Sequence, residues 1–264
     1  MRARGSKRSA RGWASGWRHE ADERKLKWLG EAEAVTAATN APLPSDAQVI
    51  GATQRTMGEA IVVCAAGGLP GELHKLWKPE APGRYHLEYG YSTMGYEIAG
   101  GLGVKLAQPG DEVVVMVGDG SYMMANSELS TAVMMGLRLT VVLLDNRGFG
   151  CINRLQTATG GANFNNLFED ARREAMPEID FVGHARALGA HAQKVAGIAE
   201  LEAALAEARE RGGVNVVVID TDPLVTTEAG GHWWDVAVPE VSERADVRAK
   251  RAEYEEQIKG QRIG

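Results

Sequence analysis

Residues 111–150 read DEVVVMVGDGSYMMANSELSTAVMMGLRLTVVLLDNRGFG, and the fold follows from this stretch. Residues 113–117 are a short apolar, β-branched run, which predicts a strand buried on both faces. Gly118-Asp119-Gly120 breaks that run. Residues 121–136 carry a helical pattern ending on a glycine. Residues 139–144 are a second buried strand, stopped by Asp145-Asn146-Arg147-Gly148. One β-α-β unit results, with its two strands parallel and adjacent.

Parallel neighbours deliver their carboxyl ends to one edge of the sheet, where open α/β sheets take ligands. Asp119 stands just past the first strand and Asn146 just past the second. Strands lie about 5 Å apart, so a carboxylate and an amide oxygen can share one hard cation. Mg²⁺ suits such a pair, because it completes its shell with water and substrate phosphates. Gly120 and Ser121 open the next helix, whose free N–H groups favour an anion. The local chemistry reads as a metal-bridged diphosphate.

A competing reading is a dinucleotide fingerprint: Gly118-x-Gly120 between strand and helix, with Asp145 imitating the ribose-binding acid. Its third glycine is missing, since position 123 is Met. Asp119 would also face a pyrophosphate without a cation between them. Taken alone, Asp119 is equally a turn residue between glycines. Asn146 at the matching strand end favours the metal.

The 264 residues, 44% hydrophobic, suffice for one sizeable α/β domain with additions. A formal charge of −6 argues against nucleic acid as partner. Two cysteines, Cys64 and Cys151, give no disulfide framework, so a cytoplasmic setting is expected. No apolar run approaches the roughly 18 residues of a membrane helix. The basic start lacks an apolar segment and is not a secretory signal.

Residues 1–16 read as disordered and 17–35 as a polar helix whose Trp17, Leu26, Trp28 and Leu29 call for a partner outside the sequence. Residues 39–45 are a proline-containing linker. Helices are expected over 46–57, 69–77, 92–107, 178–188, 198–211 and 247–264. Strands are expected over 61–65, 85–89, 190–195 and 214–220. Residues 151–176 read as irregular, and loops of that length are functional or mobile. The alternation predicts a doubly wound, mostly parallel α/β sheet with helices on both faces. Its division is a tail, helix and linker over 1–45, a ligand-binding domain over 46–222, and a tail and helix over 223–264. Gly100, Gly101 and Gly103 read as helix–sheet packing. Met123, Met124, Met134 and Met135 read as core, Glu128 as helix surface, Cys151 as a small buried thiol, and the six histidines show no ligand spacing.

GDGSYMMANSEL followed by VVLLDNRGFG resembles the signature of thiamine diphosphate-dependent enzymes: Gly-Asp-Gly, then an Asp-Asn or Asn-Asn pair just under thirty residues further on. The resemblance implies the diphosphate-binding domain of that family, with thiamine diphosphate and Mg²⁺ as cofactors. It implies Asp119, Asn146 and the Gly148 carbonyl as metal ligands. Gly118, Gly120 and Ser121 would contact the diphosphate, together with Asn146, Phe149 and Gly150. Gly67, Gly68 and Leu69 would line the same pocket. Met94 falls where the family keeps a bulky residue under the bent cofactor, and the Ser92 carbonyl where the aminopyrimidine amine is held. No catalytic side chain is assigned.

Segments such as LPSDAQVIGA, HLEYGYSTMGYEIAGGLGVKLA and WWDVAVPEVSE are similar to the branch of the family that hydrolyses a C–C bond and opens a cyclic dione in inositol breakdown. The implied substrate is that small molecule and the product 5-deoxyglucuronate. Acetolactate-synthase-like carboligation and an inactive fragment are the alternatives. The family's pyrimidine-binding domain, with the glutamate that activates the cofactor, would precede Trp17 and is missing from the sequence. The chain alone is therefore expected to bind cofactor weakly and not to turn over. A complete enzyme is expected to be a homo-oligomer. Residues 156–174 and Trp233-Trp234 are candidates for substrate contact.

Overall fold

The computed structural model describes residues 7–228 and 236–260. The elements run α1 (Lys7–Thr36), α2 (Asp46–Met57), β1 (Ile61–Cys64), α3 (Gly68–Leu76), β2 (Tyr85–Leu87), α4 (Tyr96–Ala107), β3 (Val113–Gly118), α5 (Asp119–Met124), α6 (Glu128–Met134) and β4 (Leu139–Asp145). They continue with α7 (Gly150–Ala158), α8 (Phe181–Ala187), β5 (His191–Val195), α9 (Ile198–Arg211), β6 (Val214–Asp220) and α10 (Ala245–Ile258). The strands form one sheet in the order β2-β1-β3-β4-β6-β5, and every pairing is parallel. The doubly wound α/β architecture expected from the alternation is the one observed.

Both faces of the sheet are covered, because successive strand residues point to opposite sides. Val62, Val114, Met116, Val142, Leu144 and Val217 meet α2, α3 and α9. Val63, Val115, Val117, Val141, Leu143 and Val216 meet α4, α5, α6 and α8. Two helices close their open starts with a side chain. Ser45 and Gln48 form a reciprocal capping box on α2, Gln48 N–H donating to Ser45 Oγ at 3.3 Å and Ser45 N–H to Gln48 Oε1 at 2.9 Å. Asp180 caps α8 through Gly183 N–H. Gly101 lies against Val115 and Leu139, so the small-residue run of α4 does serve close packing on the sheet.

Several expectations need correction. The expected disorder over 1–16 is replaced by helix from Lys7 onward, since this stretch has no proline to stop a helix that propagates back from residue 17; residues 1–6 lie outside the described ones. The lower half of α1 finds its partner within the chain. Ala32 is buried, and Trp28 and Val35 pack on the α2 side of the core, while Trp17 and Leu26 stay exposed. The single helix expected over 121–136 is two, α5 and α6, separated at Ala125-Asn126-Ser127. Asn and Ser favour local capping geometry over helix interiors, and Ala125 is extended (φ −154°).

That break turns Met123, Met124, Met134 and Met135 outward. They are exposed, and Tyr122, Leu129 and Ala132 fill the core instead. The helix expected from residue 92 begins only at Tyr96, because Gly95 is left-handed and sets its start. Residues 150–158, expected to be irregular, form α7. Cys151 is half-buried rather than buried, and burial raises its thiol pKa.

Candidate cofactor and metal site

Strand order reverses between β1 and β3, so a crevice opens there at the carboxyl edge. The β1–β3 ladder ends at Val63–Val115, whereas β3 runs on beside β4 to Gly118–Leu144. Asp119 and Asp145 therefore begin the next turns at the same level of the sheet.

Asp119 is buried at this rim. Its Oδ2 accepts the Gly148 N–H at 2.8 Å, so the turn after β4 is tied directly to the turn after β3. Its Oδ1 is buried without a hydrogen-bond partner, and so is Asn146 Oδ1. Burial, and then the neighbouring Asp145, push the Asp119 carboxyl up to about 7. Burial likewise raises Asp145, with Asp220 adding to the effect and the Arg147 N–H opposing it. Two orphaned oxygens beside an uncompensated acid make a poor protein interior and a good cradle for a hard cation. The donor set fits Mg²⁺.

The loop after β4 is held firmly. Arg147 and Gly148 both have positive φ (60° and 143°). Gly148 bridges to Leu167, Phe149 N–H donates to Asn166 O at 2.7 Å, and Phe168 N–H to Arg147 O at 3.0 Å. A side chain at Gly148 would run into the Asn166 carbonyl. The segment read as irregular thus includes the brace of the turn after β4.

Gly120, Phe149 and Met94 converge. A Cβ at Gly120 would stand 2.7 Å from Phe149 Cε1 and 3.5 Å from Met94 Cε. At Gly150, a Cβ would stand 3.1 Å from Asn146 Nδ2 and 3.4 Å from an Arg154 guanidinium nitrogen. Arg154 also lies against Gly68 and donates to the Pro223 carbonyl, drawing the β1 turn, α7 and the strap after β6 together. Ser92 has φ 51° on an exposed loop, which Glu88 holds by accepting Tyr91 N–H at 3.1 Å and Thr93 N–H at 2.8 Å. Gly67 opens α3 with φ 91°.

Two expected contacts differ in kind from a side-chain contact. Leu69 belongs to the core on the α2 side, which leaves its backbone for a ligand. Ser121 Oγ is engaged with Glu97 at 2.7 Å. Trp233-Trp234 lie outside the described residues. Sequence reasoning missed Arg154 and Glu97 as parts of the site. A glutamate in the first turn of a small-residue helix, three residues after Met94, was the available signal.

An all-parallel, doubly wound sheet with glycine turns and an uncompensated acid at its carboxyl edge is the architecture of α/β proteins that take phosphorylated ligands there. Residues 65–219 match the family model described as thiamine pyrophosphate enzyme, C-terminal TPP binding domain, and the chain belongs to that family. Among curated relatives, the 3D-(3,5/4)-trihydroxycyclohexane-1,2-dione hydrolase of Halalkalibacterium halodurans is 42% identical over 191 residues, covering 72% of this chain and 30% of the relative. The protein of that name from Bacillus subtilis is 38% identical over 211 residues, covering 80% and 33%. The matched region thus spans about a third of these relatives.

Solved structures share the fold. A thiamine diphosphate-dependent 4-hydroxybenzoylformate decarboxylase of Rhodococcus jostii superposes with TM-score 0.62 at 19% identity, covering 70% of this chain and 34% of that one. A benzoylformate decarboxylase of Polynucleobacter necessarius gives 0.61 at 20%, covering 72% and 35%. Among the described residues no helix is long and apolar enough to cross a membrane.

Proposed function

We propose that this chain is the diphosphate-binding part of a thiamine diphosphate- and Mg²⁺-dependent hydrolase that opens the ring of a trihydroxycyclohexane-dione, in inositol breakdown in the cytoplasm. The observation that carries the reading is the pair of buried, unpartnered oxygens, Asp119 Oδ1 and Asn146 Oδ1, on adjacent strand ends of a thiamine pyrophosphate-enzyme domain. The names of the 38–42% identical relatives support the substrate.

In this reading Asp119, Asn146 and the Gly148 carbonyl hold the metal. Gly118, Gly120, Ser121, Phe149 and Gly150 present backbone to the diphosphate, and Gly67, Gly68 and Leu69 close its other side. Met94, seated against Gly120 and Phe149, supports the bend of the cofactor, and the Ser92 carbonyl receives its amine. When bound, the cofactor supplies the carbanion chemistry; the chain's share is placement and electrostatics. Residues 156–174 flank the mouth as candidates for the dione. The rest of the site, including the acid that activates the cofactor, belongs in this reading to a pyrimidine-binding domain outside residues 1–264, in a homo-oligomer.

Titration calorimetry of thiamine diphosphate into the chain tests this. Binding is expected with Mg²⁺, and is lost in EDTA and in Asp119→Ala. Metal-independent binding, or binding unchanged in Asp119→Ala, would remove the metal assignment. Consumption of pyruvate but not of the cyclic dione by the completed enzyme would shift the reading to carboligation.

A further inference from the structure

Glu97, on the first turn of α4, is 0% exposed. A carboxylate in that position carries a steep desolvation cost unless its lone pairs are filled. They are filled entirely by neutral donors from the loops of the candidate site. Oε1 accepts the Ala66 N–H at 3.1 Å. Oε2 accepts the Gly95 N–H at 3.2 Å and the Ser121 hydroxyl at 2.7 Å. The Gly95 N–H also reaches Ser121 Oγ, at 2.8 Å.

Each donor sits beside a different part of the site. Ala66 immediately precedes Gly67-Gly68 at the end of β1. Gly95 immediately follows Met94. Ser121 immediately follows Gly120 at the end of β3. The β1–β3 ladder has already ended at Val63–Val115, so no strand pairing holds Ala66 and Ser121 together across the crevice. Glu97 takes over where the ladder stops.

We propose that Glu97 is a positioning residue for cofactor binding. It sets the separation of the β1 turn, the Met94 loop and the Gly-Asp-Gly turn, and draws the Ser121 hydroxyl inward so that this residue offers a ligand its backbone. This rests on the cofactor reading above. Acceptance from three donors is a property of a carboxylate, and a neutral amide of the same shape lacks it. In Glu97→Gln the NH₂ group must face Ala66 N–H or the Ser121 hydroxyl, and the donor it faces loses its acceptor, while Gly95 N–H keeps Ser121 Oγ.

The test has two arms on the full chain. Amide hydrogen exchange without cofactor needs no ligand. Glu97→Ala, which removes every carboxylate acceptor, is expected to speed exchange at Ala66 about tenfold or more, with the amides of β3 and β4 unchanged. Calorimetry of Glu97→Gln with Mg²⁺ and thiamine diphosphate is expected to show about tenfold weaker binding. Ser121→Ala, which leaves Glu97 to accept both N–H groups but removes the second acceptor of Gly95 N–H, is expected to weaken binding about threefold, and the double variant to bind no worse than Glu97→Gln alone, since both break one network. Unchanged exchange at Ala66 in Glu97→Ala would overturn the proposal. A lowered melting temperature with unchanged cofactor affinity in both single variants would also overturn it, leaving Glu97 a residue of the fold alone. A wild-type chain that takes up no thiamine diphosphate would overturn the cofactor reading and this one with it, whatever the exchange result.

Discussion

Asp119→Asn separates a metal ligand from a structural acid by the sign of its effect on stability. The wild-type carboxyl titrates at about 7 in the fold and at 3.8 in the unfolded chain, chiefly because it is buried and then because Asp145 stands beside it. Its folded pKa is raised, so the native state holds the proton more tightly. Stability from this group is fully present below pH 3.8 and is lost as pH rises through 7. At 1.36 kcal/mol per pH interval, the loss between pH 5 and 8 is on the order of 3 kcal/mol. An asparagine cannot ionise, and its oxygen can still accept the Gly148 N–H. In EDTA, urea unfolding at pH 8 should therefore find Asp119→Asn more stable than wild type by a few kcal/mol, with the difference shrinking toward pH 5. With saturating Mg²⁺ and thiamine diphosphate the gap should narrow. Binding at one hundred times Kd adds about 2.7 kcal/mol to wild type and nothing to a variant that cannot hold the metal. Loss of stability at pH 8 in the metal-free variant would refute the reasoning, because it would make Asp119 a stabilising acid. Equal stabilisation of both proteins by cofactor would refute its role as a ligand.

Gly120→Ala places a methyl 2.7 Å from the Phe149 ring, and is expected to weaken thiamine diphosphate binding at least tenfold by calorimetry, with partial recovery in the double variant that also carries Phe149→Ala. Thr227 Oγ1 donates to the buried Glu72 at 2.5 Å, so Thr227→Val leaves a carboxylate oxygen short of a partner. A loss of about 1–3 kcal/mol in urea unfolding is expected. Asp46 is raised to about 6 by burial, against the opposing charge of Arg154. Its contribution likewise falls as pH rises from 3.8 through 6, so Asp46→Asn should flatten that part of the stability profile, as thermal scans from pH 4 to 8 would register. The purified 264-residue chain should bind cofactor weakly and leave the cyclic dione intact; ring opening by this polypeptide alone would show that no further domain is needed.

The limits of α2, α9 and β6 agree with the residue ranges read from sequence, and the reason is local. Ser45 with Gln48 announces the start of α2, Gly212-Gly213 the end of α9, and unbroken β-branched runs the buried strands. Asp119 and Asn146 were legible for a related reason: strand periodicity fixes where each strand ends, and parallel order puts those ends side by side. What escaped was decided by partners remote in sequence. α7 buries Gly150 and Asn153 and exposes Ile152 and Leu155, so its apolar spacing does not point to the core. The four methionines had the spacing of a core stripe, but a break at Asn126-Ser127 rotates them out. Glu97 looks like any charged residue near a helix start, and only donors 31 and 24 residues away reveal what it does. Local pattern thus determines which chemical groups arrive at the sheet edge. Which of them face a ligand and which hold the others in place depends on how buried hydrogen bonds are shared between loops. That is why the meeting of Asp119 and Asn146 at one edge could be inferred from spacing, while the carboxylate behind them shows itself only in the folded chain.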